Sequence, residues 1–251
     1  MPTLILSPRY SDDSIRLRRA ALALGWDVAR LAGWHWPDDL DADEPALFGE
    51  PLFNAAVAEQ LGLATVEPPA DFLVRLPGEY VGRAVRLLAA DAARALPGPT
   101  FLKPPNCKTF PARVYASGAD LPAMPADDPV LAAEPVEWAA EFRFFVRDRR
   151  VRAWSPYWLD GALARSGDDW IVDDGSAAAT LGLVDRLLAD PRVDLPPAFV
   201  LDAGIIRGVG PAVVEANEAN ASGLYGCDPR DVLDVLRAAT VAVAAPGGVA
   251  G

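Results

Sequence analysis

The chain has 251 residues, 51% of them hydrophobic and 23% charged, which suits a globular protein able to bury a core without disulfides or metals. A net charge of −12 argues against binding along a nucleic-acid backbone, which requires a basic stripe to release counterions. One histidine, His35, and two cysteines, Cys107 and Cys227, exclude multi-histidine zinc sites, an H-E-x-x-H protease and a cysteine framework.

The start, Met1 to Arg9, lacks the charged and long apolar stretches of a signal peptide. No apolar run approaches the ~18 residues needed to span a bilayer, so a soluble, cytoplasmic protein is expected. Leu4 to Leu6 reads as a buried strand, and Asp12-Asp13 opens a helix whose face carries Leu17, Ala21 and Leu24. Gly25 is its expected stop, and Trp26 to Leu31 reads as a second strand, completing a β-α-β opening. Residues 37 to 50, acidic and proline-bearing, read as a loop, and Phe53 to Leu61 as a short helix ended by Gly62. A stripe of Val81, Val85, Leu88, Ala92 and Ala95 predicts a longer helix from about Glu79 to Leu96. Pro97-Gly98-Pro99 then breaks the chain and gives the expected domain boundary.

Beyond it the pattern changes to strands: Thr100 to Lys103, Ala112 to Tyr115 and Val130 to Ala133. Phe142, Phe144 and Val146 alternate with Arg143, Phe145 and Arg147, predicting a half-exposed strand, with a turn at Asp148 to Arg150 and a return strand to Tyr157. Ala177 to Ala189 is helical, Phe199 to Ile206 and Ala212 to Ala216 form a hairpin, Pro229 opens a last helix, and Pro246 to Gly251 is expected to fray. Gly208 and Gly210 are turn glycines of the hairpin, not a dinucleotide fingerprint. His35, between Trp34 and Trp36, reads as structural, and neither cysteine has a histidine beside it in sequence to activate it.

Three stretches carry chemistry. Glu215 and Asn217, two apart on a strand, share a face, and Asp202 lies on the partner strand of the hairpin. Such an oxygen set suits Mg²⁺ completed by phosphates and water, although two strands with solvated acids fit the same residues. Lys103 sits in Phe101-Leu102-Lys103-Pro104, where its ammonium either meets an anion such as phosphate or snorkels to water. Glu134-Pro135-Val136-Glu137-Trp138 followed by Glu141 reads either as a hinge that presents acids to a purine and a ribose or as an acidic connection.

In this order, with seven residues from Glu134 to Glu141 and thirteen from Asp202 to Glu215, the set resembles the ATP-grasp superfamily. Phe110 to Tyr115 and Asn220 to Pro229 are similar to its clade named for a pair of arginines and a lysine; the likeness covers residues ~70 to 240. The resemblance implies an α+β fold in which two lobes clamp Mg·ATP, preceded by a small N-terminal α/β lobe: residues 1–97, then a small nucleotide-binding lobe at 98–138, then a C-terminal lobe at 139–251. It implies that Lys103 binds the α- and β-phosphates, Glu134 and the Val136 backbone hold adenine, Glu141 holds the ribose, and Asp202, Glu215 and Asn217 ligate Mg²⁺. The activity implied is ATP-dependent ligation of a carboxylate to an amine through an acyl phosphate, on a small molecule or peptide. The alternatives are a kinase of a small-molecule hydroxyl and a non-catalytic nucleotide-binding or interaction protein. Two departures stand out. Pro105 to Thr109 replaces the family's glycine-rich flap, which makes Lys108 a candidate second phosphate contact. Val200 stands where many ligases carry arginine, which leaves Arg143, Arg152 or Arg113 to face the transferring phosphate, with Arg143 the choice.

Overall fold

The computed structural model describes residues 1–243. The first lobe runs β1 (Thr3–Leu6), α1 (Asp12–Ala23), β2 (Asp27–Arg30), β3 (Pro45–Phe48), α2 (Pro51–Gln60) and β4 (Leu63–Thr65). Its sheet is parallel, in the order β2-β1-β3. Ser11 and Ser14 cap α1 reciprocally, and Gly25 leaves the helix at φ +77°. Pro51 opens α2, where a missing N–H costs nothing. Strand β3 lies inside the stretch read as a loop: its four residues are too few to show a period among acids, and pairing with β1 is what makes them a strand.

Two short helices, α3 (Phe72–Arg75) and α4 (Gly78–Val81), lead to β5 (Val85–Ala89), α5 (Ala90–Arg94), β6 (Thr100–Lys103), β7 (Arg113–Tyr115) and β8 (Pro129–Ala133). The helix expected over Glu79–Leu96 is therefore corrected to a helix, a strand and a helix. Gly82 stops α4 at φ +65°, and Val85 to Ala89 pair with β8. Tertiary pairing overrides the alanine-rich helical stripe. The sheet has the antiparallel order β5-β8-β6-β7, so the Pro97-Gly98-Pro99 break falls inside this small lobe, between α5 and β6.

The large lobe follows: β9 (Trp138–Arg147), β10 (Arg150–Leu159), the short strands β11 (Ala162–Leu163), β12 (Arg165–Ser166) and β13 (Asp169–Trp170), α6 (Asp174–Ala189), β14 (Ala198–Ile206), β15 (Gly210–Asn217), α7 (Pro229–Leu236) and β16 (Thr240–Ala242). Its five-stranded antiparallel sheet has the order β11-β10-β9-β14-β15. Phe142, Phe144 and Val146 pack in one cluster with Leu183, Val184 and Leu187 of α6. The opposite face of β9 is not half exposed, as the alternation suggested: Phe145 is fully buried and Arg143 nearly so. Phe145 packs with Leu17 of α1 and with Val232 and Leu236 of α7, so the first lobe and the last helix cover this face. Gly204 lets β14 approach β9, because a Cβ there would stand 2.1 Å from the Ala140 carbonyl oxygen. Finally β16 pairs antiparallel with β4, returning the chain to the first lobe. The stretch expected to fray, Pro246 to Gly251, lies outside the described residues. Among the described residues no helix is long and apolar enough to cross a membrane.

Candidate active site

The polar groups of the large sheet gather on its adjacent strands β9, β14 and β15. Asp202 on β14 stands in register with Glu215 on β15 and with Arg143 on β9. A bulge after Asp202 shifts the β14–β15 register, so Asp202 and Glu215 are paired directly while Ala203 faces Val213. Arg143 grips Asp202 with two parallel bonds, Nε to Oδ1 at 2.9 Å and Nη2 to Oδ2 at 2.7 Å, and its Nη1 donates to the Gly223 carbonyl at 3.0 Å. Burial opposes the charge on this guanidinium, but the Asp202 carboxylate outweighs it and holds the arginine above its ordinary value.

Lys103 reaches from β6 in the small lobe to Glu215 and forms an ion pair across the cleft. Glu215 Oε1 accepts a hydrogen bond from Asn217 Nδ2 at 2.9 Å, and Asn217 also lies 3.5 Å from Asp202 Oδ2. Burial pushes the Glu215 carboxyl up, yet Lys103 and Asn217 together hold it below the usual value. Asp202, Glu215 and Asn217 thus converge as the hairpin register requires, and Lys103 meets an anion instead of snorkelling.

Between the lobes lies an open cleft with a cavity volume of about 80 Å³. Phe101, Lys103 and Val114 of the small lobe line one wall, Val214 and Glu215 of β15 the other, and Glu134, Val136 and Trp138 the connection between them. Glu141 stands on β9 beyond this connection and accepts a hydrogen bond from the Tyr157 hydroxyl. Burial pushes its carboxyl up to about 6, against the pull of that bond.

Lys108 is exposed on the loop after β6 and is not among the residues that line the cleft. Of the other arginines considered, Arg152 pairs with Asp234 of α7 at 3.4 Å and Arg113 lies over the Tyr115 ring at 4.6 Å. Arg143 alone of the three touches the oxygen set.

Several residues around the site had no role assigned from the sequence, although Tyr225 lies in the Asn220–Pro229 run. Tyr157 and Tyr225 stack at 4.9 Å with planes 11° apart, and the Arg143 guanidinium lies 4.8 Å from the Tyr225 ring. Trp170 meets Tyr225 edge-on at 5.5 Å. Tyr225 has φ +49°, a conformation that a bulky residue keeps only where its surroundings enforce it. Here α1 supplies the hold: Arg16 donates to the carbonyls of Tyr225 and Cys227 at 2.6 and 2.8 Å, and Asp13 accepts from Leu224 N at 3.0 Å. Arg83 also lines the cleft, at the entry to β5, where the sequence suggested mid-helix.

The donor set fits Mg²⁺, since it consists of hard carboxylate and amide oxygens. Among the described residues no cluster of three or more His, Cys, Asp and Glu is arranged to hold an ion alone, so phosphate oxygens would have to complete the shell.

No curated protein matches the chain by sequence. Its fold is similar to the crystal structure of a RimK domain ATP-grasp protein from Sphaerobacter thermophilus, with 16% identity, TM-score 0.56 and coverage of 94% of this chain and 98% of that one. It is similar to D-alanine–D-alanine ligase from Bacillus anthracis, with 12% identity, TM-score 0.53 and coverage of 94% and 96%. It is also similar to the ATP-grasp ligase PsnB complexed with a minimal precursor, with 15% identity, TM-score 0.52 and coverage of 94% and 98%. Residues 80–235 match the family model for an ATP-grasp domain, family 2 of the clade named for two arginines and a lysine. With that match spanning most of the sequence, over the cleft and the oxygen set just described, the chain belongs to the ATP-grasp family.

Proposed function

We propose that this protein is an ATP-dependent ligase of the clade its family model names, joining a carboxylate to an amine on a small molecule or peptide through an acyl phosphate. One observation carries the reading: Lys103 from the small lobe and Glu215 from the large lobe pair in the cleft that the Glu134–Trp138 connection also lines, and Glu215 is joined by Asn217, Asp202 and Arg143 on the large sheet. In this reading adenine lies against Glu134 and the Val136 backbone, and Glu141 takes the ribose. Lys103 exchanges Glu215 for the α- and β-phosphates when nucleotide enters. Glu215 and Asn217 hold Mg²⁺ from β15, and Asp202 joins them from β14 while keeping Arg143 in place. The ion supplies charge neutralisation for the phosphates.

The γ-phosphoryl group passes from ATP to the substrate carboxylate, giving ADP and an acyl phosphate. Arg143 faces this transfer with the N–H groups that Asp202 and Gly223 leave unused. The amine nitrogen then attacks the acyl carbon, the bond to phosphate breaks, and the nitrogen sheds a proton to solvent. In this reading the Gly223 N–H meets the acyl phosphate, while the Ser222 N–H is donated to the Ala219 carbonyl at 3.4 Å. Lys108 acts only if its loop folds over the cleft. The similarity of the fold to a ligase complexed with a minimal precursor and to a D-alanine–D-alanine ligase is in keeping with this reading.

The test is incubation with ATP, Mg²⁺, a panel of carboxylates and hydroxylamine. Carboxylate-dependent ADP release with hydroxamate formation supports the ligase. ADP with a stable phosphorylated alcohol would replace it by a kinase, and nucleotide binding without ADP from any panel member would leave a binding protein.

A further inference from the structure

The loop after β15 is pinned at four consecutive residues. Leu224 N donates to Asp13 Oδ2 at 3.0 Å, and Gly226 N donates to Ser155 Oγ at 2.9 Å. The carbonyls of Tyr225 and Cys227 accept from Arg16 Nη1 and Nη2 at 2.6 and 2.8 Å. Three of these four bonds go to α1 of the first lobe, where Asp13 and Arg16 also pair with each other at 3.3 Å. In the middle of the run Tyr225 holds φ +49°. Glycines stand close on both sides, Gly223 and Gly226, yet neither takes a positive φ. A mere strap between lobes would put the left-handed turn on a glycine, where it carries no steric cost. Here it falls on a bulky aromatic residue, so the place of the ring is what the loop secures.

The same loop flanks Arg143. On the sheet side the guanidinium bonds Asp202 through Nε and Nη2. On the loop side Nη1 donates to the Gly223 carbonyl at 3.0 Å, and the Tyr225 ring centroid lies 4.8 Å from the guanidinium carbon. Tyr225 is in turn stacked on Tyr157 of β10. Both loop-side neighbours of Arg143 are thus carried by residues 223 and 225, and α1 holds the stretch that follows.

We infer that Arg16 is a positioning residue for phosphoryl transfer: it holds Tyr225 in its left-handed conformation and thereby keeps the Tyr225 ring and the Gly223 carbonyl against Arg143. This role rests on the ligase reading, in which Arg143 faces the transferred group. Without Arg16 the Tyr225 carbonyl is free to turn, and the loop side of Arg143 loosens while the Asp202 side stays. A small misplacement of a group that acts in the transition state is enough to slow the chemical step. The first lobe therefore contributes to transfer through α1 without touching the reacting atoms.

The competing explanation is that Arg16 only ties the first lobe to the large one. A double-mutant cycle separates the two. Carboxylate-dependent ADP release, with the most active member of the panel above, is measured for the parent, Arg16→Met, Tyr225→Asn and the double variant, each corrected for its folded fraction by urea unfolding. Asparagine removes the ring and tolerates a positive φ. Each single change is expected to lower kcat ~10- to 100-fold with the KM for ATP within about twofold of the parent's. The double variant is expected to match Tyr225→Asn within about twofold, because Arg16 has nothing left to position. A simple tie predicts otherwise, and any of three results overturns the role: kcat of the parent in either single variant, losses that multiply in the double variant, or a rise in KM with kcat retained. If Arg16→Met fails to fold, Arg16→Lys, which keeps the charge but not the fork, takes its place on the same terms. A parent that releases no ADP with any carboxylate removes the ligase reading and this role with it, whereas an active parent whose cycle is additive removes the role alone.

Discussion

Two ion pairs face one another across the oxygen set, and they are built differently. Arg143–Asp202 lies wholly within the large sheet, with its side chains 10% and 1% exposed and two parallel bonds between them. Lys103–Glu215 joins two lobes through one contact, with side chains 16% and 30% exposed. The first has its geometry set by strand register and by the carbonyl of Gly223. The second is held by a lysine on a four-residue strand whose lobe reaches the large sheet through the Glu134–Trp138 connection. A fixed pair suits a group that must be in place before substrate arrives, and an exchangeable pair suits one that changes partner on binding.

The sharpest way to break this comparison is Asp202→Ala. It leaves Arg143 buried without its carboxylate, and unfolding in urea is expected to show a loss of ~3–5 kcal/mol. A loss below about 1 kcal/mol would mean that the arginine finds another partner and the pair is not fixed. Lys103→Ala should do the reverse: ATP affinity drops by ~1.5–3 kcal/mol by calorimetry, while folding stability changes by about 1 kcal/mol or less. Equal ATP binding in parent and variant would remove Lys103 from the nucleotide reading.

Glu141 sharpens the contrast further, since it sits between the two pairs. Its folded carboxyl is raised to about 6, chiefly by burial, from an ordinary value of 4.5. The folded state therefore holds this proton more tightly than the unfolded chain does. Stability from this group is complete below about pH 4.5 and is lost as pH rises through about 6. Glu141→Gln should stabilise the nucleotide-free protein by ~1–2 kcal/mol at pH 8 and by less than about half of that at pH 5, while weakening ATP binding. Urea unfolding at the two pH values checks the sign, and a variant less stable at pH 8 would show that the charged carboxylate is needed for the fold.

The smallest effect is chemical labelling. Cys227 lies buried on the Arg143 side, its thiol pushed up to about 12 mainly by burial, whereas Cys107 is exposed on the loop after β6. Iodoacetamide at pH 8 should label the folded chain once, at Cys107, as read by peptide mass spectrometry. Labelling of both at similar rates would show the Arg143 wall opening as readily as the loop.

What could be read in the sequence follows period and punctuation. Glu215 and Asn217 are two apart on a strand, Lys103 ends an apolar one, and Pro229, Gly25 and Gly62 mark helix ends; all are local facts that the structure retains. Arg83 escaped because its neighbours, Val81 and Val85, fit a helical stripe, and only pairing with residues 129–133 makes the segment after it a strand. Burial of Phe145 escaped because its cover comes from α1 and α7, and that of Arg143 because Asp202, Gly223 and Tyr225 surround it, all distant in sequence. Tyr157 and Tyr225 meet across about seventy residues, and nothing in either local pattern marks them for stacking.

The pairing of β16 with β4 has a consequence for how such a chain can be rearranged. The first lobe is begun at the N-terminus, yet residues 240–242 add a strand beside β4. Asn54 of α2 donates to the carbonyls of Gly49 and Asn220, so the same lobe is also stitched to the turn after Asn217. A cut near residue 66 would not release a portable cassette, because one of its strands would stay with the other fragment. Exchange of this lobe between relatives, in a laboratory chimera or over evolution, has to carry both ends of the gene segment together. Residues 3–65 and 240–242 thus travel as one part, although the small and large lobes lie between them in the sequence.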